Sequence, residues 1–361
     1  MTLLYITNGI NGPGGLERVL SIKASLLAEE YGYDVHVLVL NDAHLNPFYE
    51  FSPKIKFHSI EVGGNPINYF NSYKNGIQKI VDQIQPHIIS VCDDGLKGFF
   101  LPNIIKTHAK WIYERHVSKL IEAKENHSFM KKLSIRFKWY LMEFLGKKFD
   151  RFIVLTEKNK NEWKSLRNMQ VIVNPLSFTS DSFSNLDNKI VICVGKISYQ
   201  KGQDILIKAW EIIHKNHPDW ELHLYGKENL DFLDTNNLKN NVHFFPPVKN
   251  IEKKYLESSI YVMSSRFEGF GMVLIEAMEF GLPCVSFDCN YGPSDIITDD
   301  VDGYLVEKEN YKELARQINT LIENKELRKS MGAKAKENVK RYSQHEIVKQ
   351  WDELFKTLKA Q

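Results

Sequence analysis

Short β-branched and apolar runs alternate along this chain with stretches of helical periodicity, and no other feature limits the possible folds so strongly. The runs in the first half are 3–7, 35–40, 55–60, 87–91, 111–113 and 152–155, with amphipathic segments such as 16–29 between them. Repetition of strand, crossover helix and strand makes a parallel sheet covered by helices. The rhythm stops at 174–189 (NPLSFTSDSFSNLDNK), a polar, turn-rich stretch without periodicity that reads as an interdomain linker. It restarts with runs at 190–194, 221–225, 242–245, 260–263 and 284–287 and ends in charged amphipathic segments from Tyr311 onward. The predicted class is therefore α/β, with two doubly wound, Rossmann-like parallel-sheet domains facing a central cleft. Such sheets bind ligands beyond the carboxyl ends of their strands, and a nucleotide is the expected occupant.

A length of 361 residues suits two domains that each bury a core. With 43% hydrophobic and 25% charged residues, the composition is that of a globular protein, and no repeat or low-complexity tract points elsewhere. The opening MTLLYITNGI has no basic leader and reads as a first strand rather than a signal peptide. No uncharged apolar run reaches the ~18 residues that a membrane span needs. Cys92, Cys193, Cys284 and Cys289 form no CxxC pair, so reduced, buried thiols are expected rather than zinc ligands or disulfides. The net charge of +2 is unevenly spread: residues 1–175 hold 23 Lys/Arg against 17 Asp/Glu (+6), and the remainder 24 against 28 (−4).

Three loops carry candidate chemistry. Gly12-Pro13-Gly14-Gly15-Leu16-Glu17-Arg18 follows the first predicted strand. Glycines at a helix start let backbone N–H groups approach a phosphate or a sugar hydroxyl, although a plain turn uses the same residues. The run is not GxGxxG, which argues against a nicotinamide dehydrogenase, and no P-loop Lys-Ser/Thr follows. Gly195-Lys196-Ile197-Ser198-Tyr199-Gln200-Lys201-Gly202 places two lysines beside the N-terminus of the next helix, where they offset the charge of a diphosphate. In Ser265-Arg266-Phe267-Glu268-Gly269-Phe270-Gly271-Met272-Val273-Leu274-Ile275-Glu276, Glu268 sits in a glycine-bearing loop and Glu276 inside an apolar helix. A carboxylate placed there is costly without partners, and the vicinal hydroxyls of a ribose are one such partner.

Together with Tyr225-Gly226-Lys227, Gly281-Leu282-Pro283-Cys284-Val285 and Asp302-Gly303-Tyr304-Leu305-Val306, these loops resemble the family 4 retaining glycosyltransferases of GT-B fold, with bacterial capsule and O-antigen enzymes the nearest in flavour. The resemblance covers most of the chain. It implies that Glu276 binds the donor ribose and that Glu268, Phe270 and Gly271 meet the transferred sugar. Gly14, Gly15, Lys196, Lys201, Gly271, Met272 and Val273 would face the diphosphate. Glu268, His116 and Lys201 are the implied catalytic residues. His116 fills the place after the fifth strand where the family carries a histidine, and Arg115 is its rival. Lys196 stands where arginine is commoner, so a point charge replaces a bidentate grip.

The resemblance further implies an acceptor-binding domain at 1–175, with helix 344–361 packed back on it, and a donor-binding domain at 188–343. The expected reaction moves a hexose or N-acetylhexosamine from a nucleotide sugar, a UDP-sugar above all, to a glycan or lipid-linked oligosaccharide acceptor. Retention of configuration, no metal, no cofactor and no nucleic-acid partner belong to the same expectation. So does a cytoplasmic location, peripheral on the inner membrane. A GT-B nucleotide-sugar epimerase and a non-catalytic sugar-nucleotide-binding protein are the alternatives.

Three further features need weighing. Asp300-Val301-Asp302 is a DxD, a metal signature elsewhere, but it precedes Gly303 in what reads as a turn. Asp93-Asp94 ends a strand and is expected to cap the helix beginning near Leu96, with contact to an acceptor hydroxyl as the other reading. Segment 129–148 has an apolar face at Leu133, Phe137, Tyr140, Leu141, Phe144 and Leu145 amid lysines and arginines. That face either lies on an anionic membrane surface or packs on the sheet.

Overall fold

The computed structural model describes residues 1–93, 95–122 and 127–361, and divides the chain into two compact units: Met1–Ser177 with Gln344–Gln361, and Phe178–Ser343. In the first unit the elements run β1 (Thr2–Thr7), α1 (Gly15–Glu29), β2 (Asp34–Leu40), β3 (Lys56–Ile60), α2 (Pro66–Ile84), β4 (Ile88–Cys92), α3 (Leu101–Ile104), β5 (Lys110–Glu114), α4 (Phe129–Gly146), β6 (Arg151–Val154) and β7 (Met169–Val171). Among the described residues the sheet is parallel throughout, in the order β3-β2-β1-β4-β5-β6-β7.

Because strand side chains alternate, each strand feeds two cores. Leu3, Tyr5, Val35, Val37, Ile88 and Ile112 face α1, whereas Leu4, Ile6, Leu38, Ile89, Val91 and Tyr113 join Ile77 of α2 and Met142 of α4 on the other side. Each of these side chains, fully buried, contributes about 1.5–3 kcal/mol.

The second unit runs β8 (Ile190–Val194), α5 (Gln203–Asn216), β9 (Glu221–Tyr225), β10 (Val242–Phe245), α6 (Glu252–Leu256), β11 (Ile260–Met263), α7 (Met272–Glu279), β12 (Cys284–Asp288), α8 (Pro293–Ile296), β13 (Gly303–Glu307), α9 (Tyr311–Glu323) and α10 (Lys325–Asn338). Its parallel sheet has the order β10-β9-β8-β11-β12-β13, with α5 and α9 covering one face through Leu206, Trp210, Leu314 and Ile318. The last helix, α11 (Gln344–Ala360), belongs to the first unit. It adds Ile347, Val348, Trp351, Leu354 and Phe355 to the core that α1 covers.

Two edge strands escape the strand pattern in the sequence. β7 has three residues, too few for a period, and β13 lies within what reads only as a motif. The predicted pause in rhythm is real, since no helix or strand occurs between β7 and β8. All four cysteines are buried with free thiols. Among the described residues no helix is long and apolar enough to cross a membrane.

Candidate active site

In each sheet the strand order reverses once, between β1 and β4 in the first unit and between β8 and β11 in the second. Loops leaving the carboxyl ends of strands at such a point splay apart and leave room for a ligand. Those loops hold the residues that the motifs single out.

In the second unit, the loop after β8 carries Lys196 and Lys201 and the loop after β11 carries Glu268. The Lys201 ammonium donates to Glu268 Oε1 at 2.7 Å, and the Ser265 hydroxyl donates to the same oxygen at 2.5 Å. Burial by itself would lower the Lys201 pKa, but the Glu268 carboxylate more than offsets it, so the ammonium is held above its ordinary value. Close approach of the loops depends on Gly202, which has φ +65° and where a Cβ would lie 2.1 Å from the Ser264 carbonyl oxygen.

Arg266 locks the pair of loops from behind. It donates bidentately to Asp204 at 2.9 and 2.8 Å, to Glu309 at 2.7 Å and to the Tyr199 carbonyl at 2.7 Å. Lys196 is exposed, and no ion pair involves it among the described residues. Burial pushes the nearby Cys193 and Cys289 thiols up to about 12, which leaves them neutral and unsuited to nucleophilic work.

Gly271 is the N-cap of α7, so Met272 and Val273 open the helix with N–H groups that no side chain caps. Phe270 is buried against Tyr342, ring edge to face at 5.7 Å. One turn further along, Glu276 is only 5% exposed and accepts a hydrogen bond from the fully buried Tyr255 hydroxyl at 3.2 Å. Glu276 is therefore not a carboxylate on the solvent face of the helix. The DxD forms a turn in which Asp302 accepts from the Thr298 N–H and the Asn338 amide, both structural tasks.

In the first unit a cleft of about 750 Å³ opens at the switch point, lined among others by Asn8, Gly12, Glu17, Asp93 and Lys97. Gly14 is the N-cap of α1 and Gly15 its first residue, but the Glu17 carboxylate folds over them; a Cβ at Gly14 would lie 2.3 Å from its Oε2. A diphosphate at Gly14 and Gly15 must share or displace that carboxylate.

The capping reading of Asp93 is corrected. Its Oδ1 accepts from the Gly95 N–H at 2.7 Å and the Asn8 amide at 3.2 Å, while the helical turn Lys97–Phe100 has no side-chain cap. A tight turn at Gly95 captures the carboxylate before the helix starts. Oδ2 is buried without a hydrogen-bond partner among the described residues, with Lys97 Nζ at 3.9 Å. Asp94 lies outside the described residues.

His116 follows β5 with its side chain 8% exposed, Nε2 at 3.2 Å from Glu114 Oε2 and Nδ1 buried without a hydrogen bond among the described residues. Its rival Arg115 is buried, donates to the Val117 carbonyl at 2.8 Å and lies over the Trp163 ring. Adjacent residues thus turn to different surroundings.

Residues 178–338 match the family Glycosyl transferases group 1, and residues 16–155 match Glycosyl transferase 4-like. The amylovoran biosynthesis glycosyltransferase AmsD of Erwinia amylovora is 30% identical over 98% of this chain and 99% of its own length. The chain belongs to the GT-B glycosyltransferases. A Staphylococcus aureus poly(ribitol-phosphate) alpha-N-acetylglucosaminyltransferase is 32% identical to this glycosyltransferase over 60% of the chain and 45% of its own length. The structure of S. aureus TarM in complex with fondaparinux, alpha-GlcNAc-glycerol and UDP superposes with a TM-score of 0.76 at 18% identity, covering 98% of this chain and 100% of that one, a likeness of fold.

One cluster in the glycosyltransferase has no counterpart among the sequence motifs. Lys23 of α1 donates to both oxygens of Glu114 at 2.5 Å, Ser90 donates to Oε1, and the Lys23 ammonium lies 3.8 Å from the Trp351 ring centroid. Burial alone would raise the Glu114 carboxyl, yet Lys23 and His116 hold it down at about 2. Cys92, Glu114 and His116 present donor atoms within 4.8 Å of one another, but the Lys23 ammonium already supplies the cation that Glu114 needs. The sequence hint was a lysine on the apolar face of 16–29, in step with Leu20, Ala24 and Leu27.

Proposed function

We propose that this glycosyltransferase moves a hexose or N-acetylhexosamine from a UDP-sugar to a glycan acceptor with retention of configuration and without a metal or other cofactor. The observation that carries the reading is the Lys201–Glu268 pair, held at the switch point of the second sheet beside the uncapped start of α7. A cation and a row of backbone N–H groups are what a departing diphosphate requires, and fixed donors aimed at developing charge usually contribute most to catalysis of this kind. Lys196 adds a second, exposed cation.

Glu268, an acceptor-only group, takes hydroxyls of the sugar, and Glu276, steadied by Tyr255, takes the ribose hydroxyls. The acceptor oxygen bonds to the anomeric carbon as the bond from that carbon to the phosphate oxygen breaks, and the acceptor proton passes to a phosphate oxygen of the leaving diphosphate. His116 is the candidate contact to the reacting sugar from the first unit. UDP as the donor nucleotide is supported by the UDP held in the TarM structure. A polysaccharide acceptor is supported by relatives named for amylovoran biosynthesis and for N-acetylglucosamine transfer to poly(ribitol phosphate); a lipid-linked or cell-surface form of it, met at the cytoplasmic face of the inner membrane, is part of the same proposal.

The test is transfer from a panel of UDP- and GDP-sugars, with the product's anomeric configuration read by NMR. Glu268→Gln is expected to lower kcat/KM about 10²-fold or more, the loss typical of one fixed electrostatic group. Unimpaired transfer by this variant, or an inverted product, would overturn the assignment.

A further inference from the structure

We propose that the outward face of α4 is a docking surface for an anionic lipid bilayer. The apolar face read from the sequence is in fact two faces. Ile135, Met142 and Leu145 are buried against the first unit. Phe129, Met130, Leu133, Phe137, Tyr140 and Phe144 are instead 79%, 71%, 52%, 66%, 69% and 56% exposed. At about 100° per residue these six fall within one arc of about 100° on the side opposite the buried set. They form a continuous stripe about 22 Å long. Single exposed apolar residues need no explanation, but six in register on one helix mark an interaction surface.

The choice of occupant rests on charge. Lys132 and Arg136 border the stripe, Lys131 opens the helix, and Lys147 and Lys148 follow its last turn, all five exposed. The one acidic residue of 129–148, Glu143, is taken up by Lys119 at 2.7 Å and by the Ser165 hydroxyl. A second copy of this chain, laid stripe to stripe, would bring two sets of these cations together. Acyl chains and anionic headgroups satisfy both at once: the aromatic stripe enters the headgroup boundary and the lysines and arginines stay at the charged surface. This surface is independent of the transfer chemistry proposed above, and either reading can fail without the other.

The full chain is to be sedimented with vesicles of phosphatidylcholine alone and with phosphatidylglycerol added. The parent is expected to bind the anionic vesicles, with affinity falling as salt rises. Phe137→Ser with Phe144→Ser should weaken binding at least tenfold. Lys132→Gln, Arg136→Gln, Lys147→Gln and Lys148→Gln combined should remove the preference for anionic lipid. Since every substituted side chain is exposed, unfolding is not expected, and an unchanged Tm together with unchanged transfer to a soluble acceptor verifies that. Failure of the parent to bind anionic vesicles, or binding indifferent to both variants, overturns the proposal. So does a parent dimer in solution that Phe137→Ser with Phe144→Ser converts to monomer, which assigns the stripe to a second copy.

Discussion

The two units each contain a lysine–glutamate pair, and the pairs differ in what can reach them. Lys23 and Glu114 have side chains 1% and 2% exposed, both carboxylate oxygens engaged and a tryptophan ring over the ammonium. Lys201 and Glu268 are 21% and 7% exposed, joined through one oxygen, on two loops at the carboxyl ends of strands. The first pair lies between a sheet and its covering helices, where it holds the fold and, through Glu114, steadies His116. In the second, the lysine side chain is partly exposed, so it can exchange or share its carboxylate with a ligand. On the function proposed above, the same two residue types serve structure or chemistry according to whether they sit beside the sheet or beyond its strands.

The sharpest way to break this contrast is to remove each lysine. Lys23→Met leaves a buried carboxylate without its cation and is expected to cost about 3–5 kcal/mol in urea unfolding. Adding Glu114→Gln should recover much of that loss. Lys201→Met is expected to lower kcat/KM by about 10²–10³ and to destabilise far less than Lys23→Met. Equal losses of stability would erase the distinction.

Acid and alkali sharpen it next. The Glu114 pKa is depressed from 4.5 to about 2 on folding, so its contribution is complete above about pH 4.5 and lost as pH falls towards 2. At 1.36 kcal/mol per unit that contribution is up to about 3 kcal/mol. Lys201 is raised, so its contribution is complete below its ordinary value of 10.5 and lost only as pH climbs through the higher folded value. The stability of parent and Glu114→Gln, measured from pH 5 downwards, should converge as the carboxylate protonates. Parallel curves would show that Glu114 carries no such linkage.

Periodicity and motif spacing made the architecture legible because doubly wound units repeat one pattern, and a glycine loop followed by Glu268 and Glu276 is itself a local signal. What stayed hidden is contact between distant positions. Nothing near Lys23 announces Glu114, which lies 91 positions away. Arg266 stood inside the strongest motif, yet its role requires Asp204 and Glu309 from other elements. The helix at 129–148 misled in another way: its two apolar faces overlap in a one-dimensional reading, and only the sheet's position tells which of them is covered.

The smallest expected effect tests the first unit's cleft. Asp93 Oδ1 is occupied by Gly95 and Asn8, and β5 anchors the same residue when the Tyr113 hydroxyl donates to its carbonyl, so Oδ2, with Lys97 Nζ at 3.9 Å, is fixed rather than floppy. A fixed carboxylate oxygen that makes no hydrogen bond among the described residues, on a side chain lining a cleft, suits an acceptor hydroxyl, and a hydrogen bond to a charged group is worth about 1.5–3 kcal/mol. Asp93→Asn keeps the volume and the Oδ1 contacts while turning that oxygen into a donor. With transfer established, the variant should raise the acceptor KM about tenfold, a change of about 1.4 kcal/mol, and leave the donor KM and the Tm close to the parent's. A rise in donor KM instead would move Asp93 to the nucleotide side of the reaction, and a fall in Tm alone would make it, like Lys23, a residue of the fold.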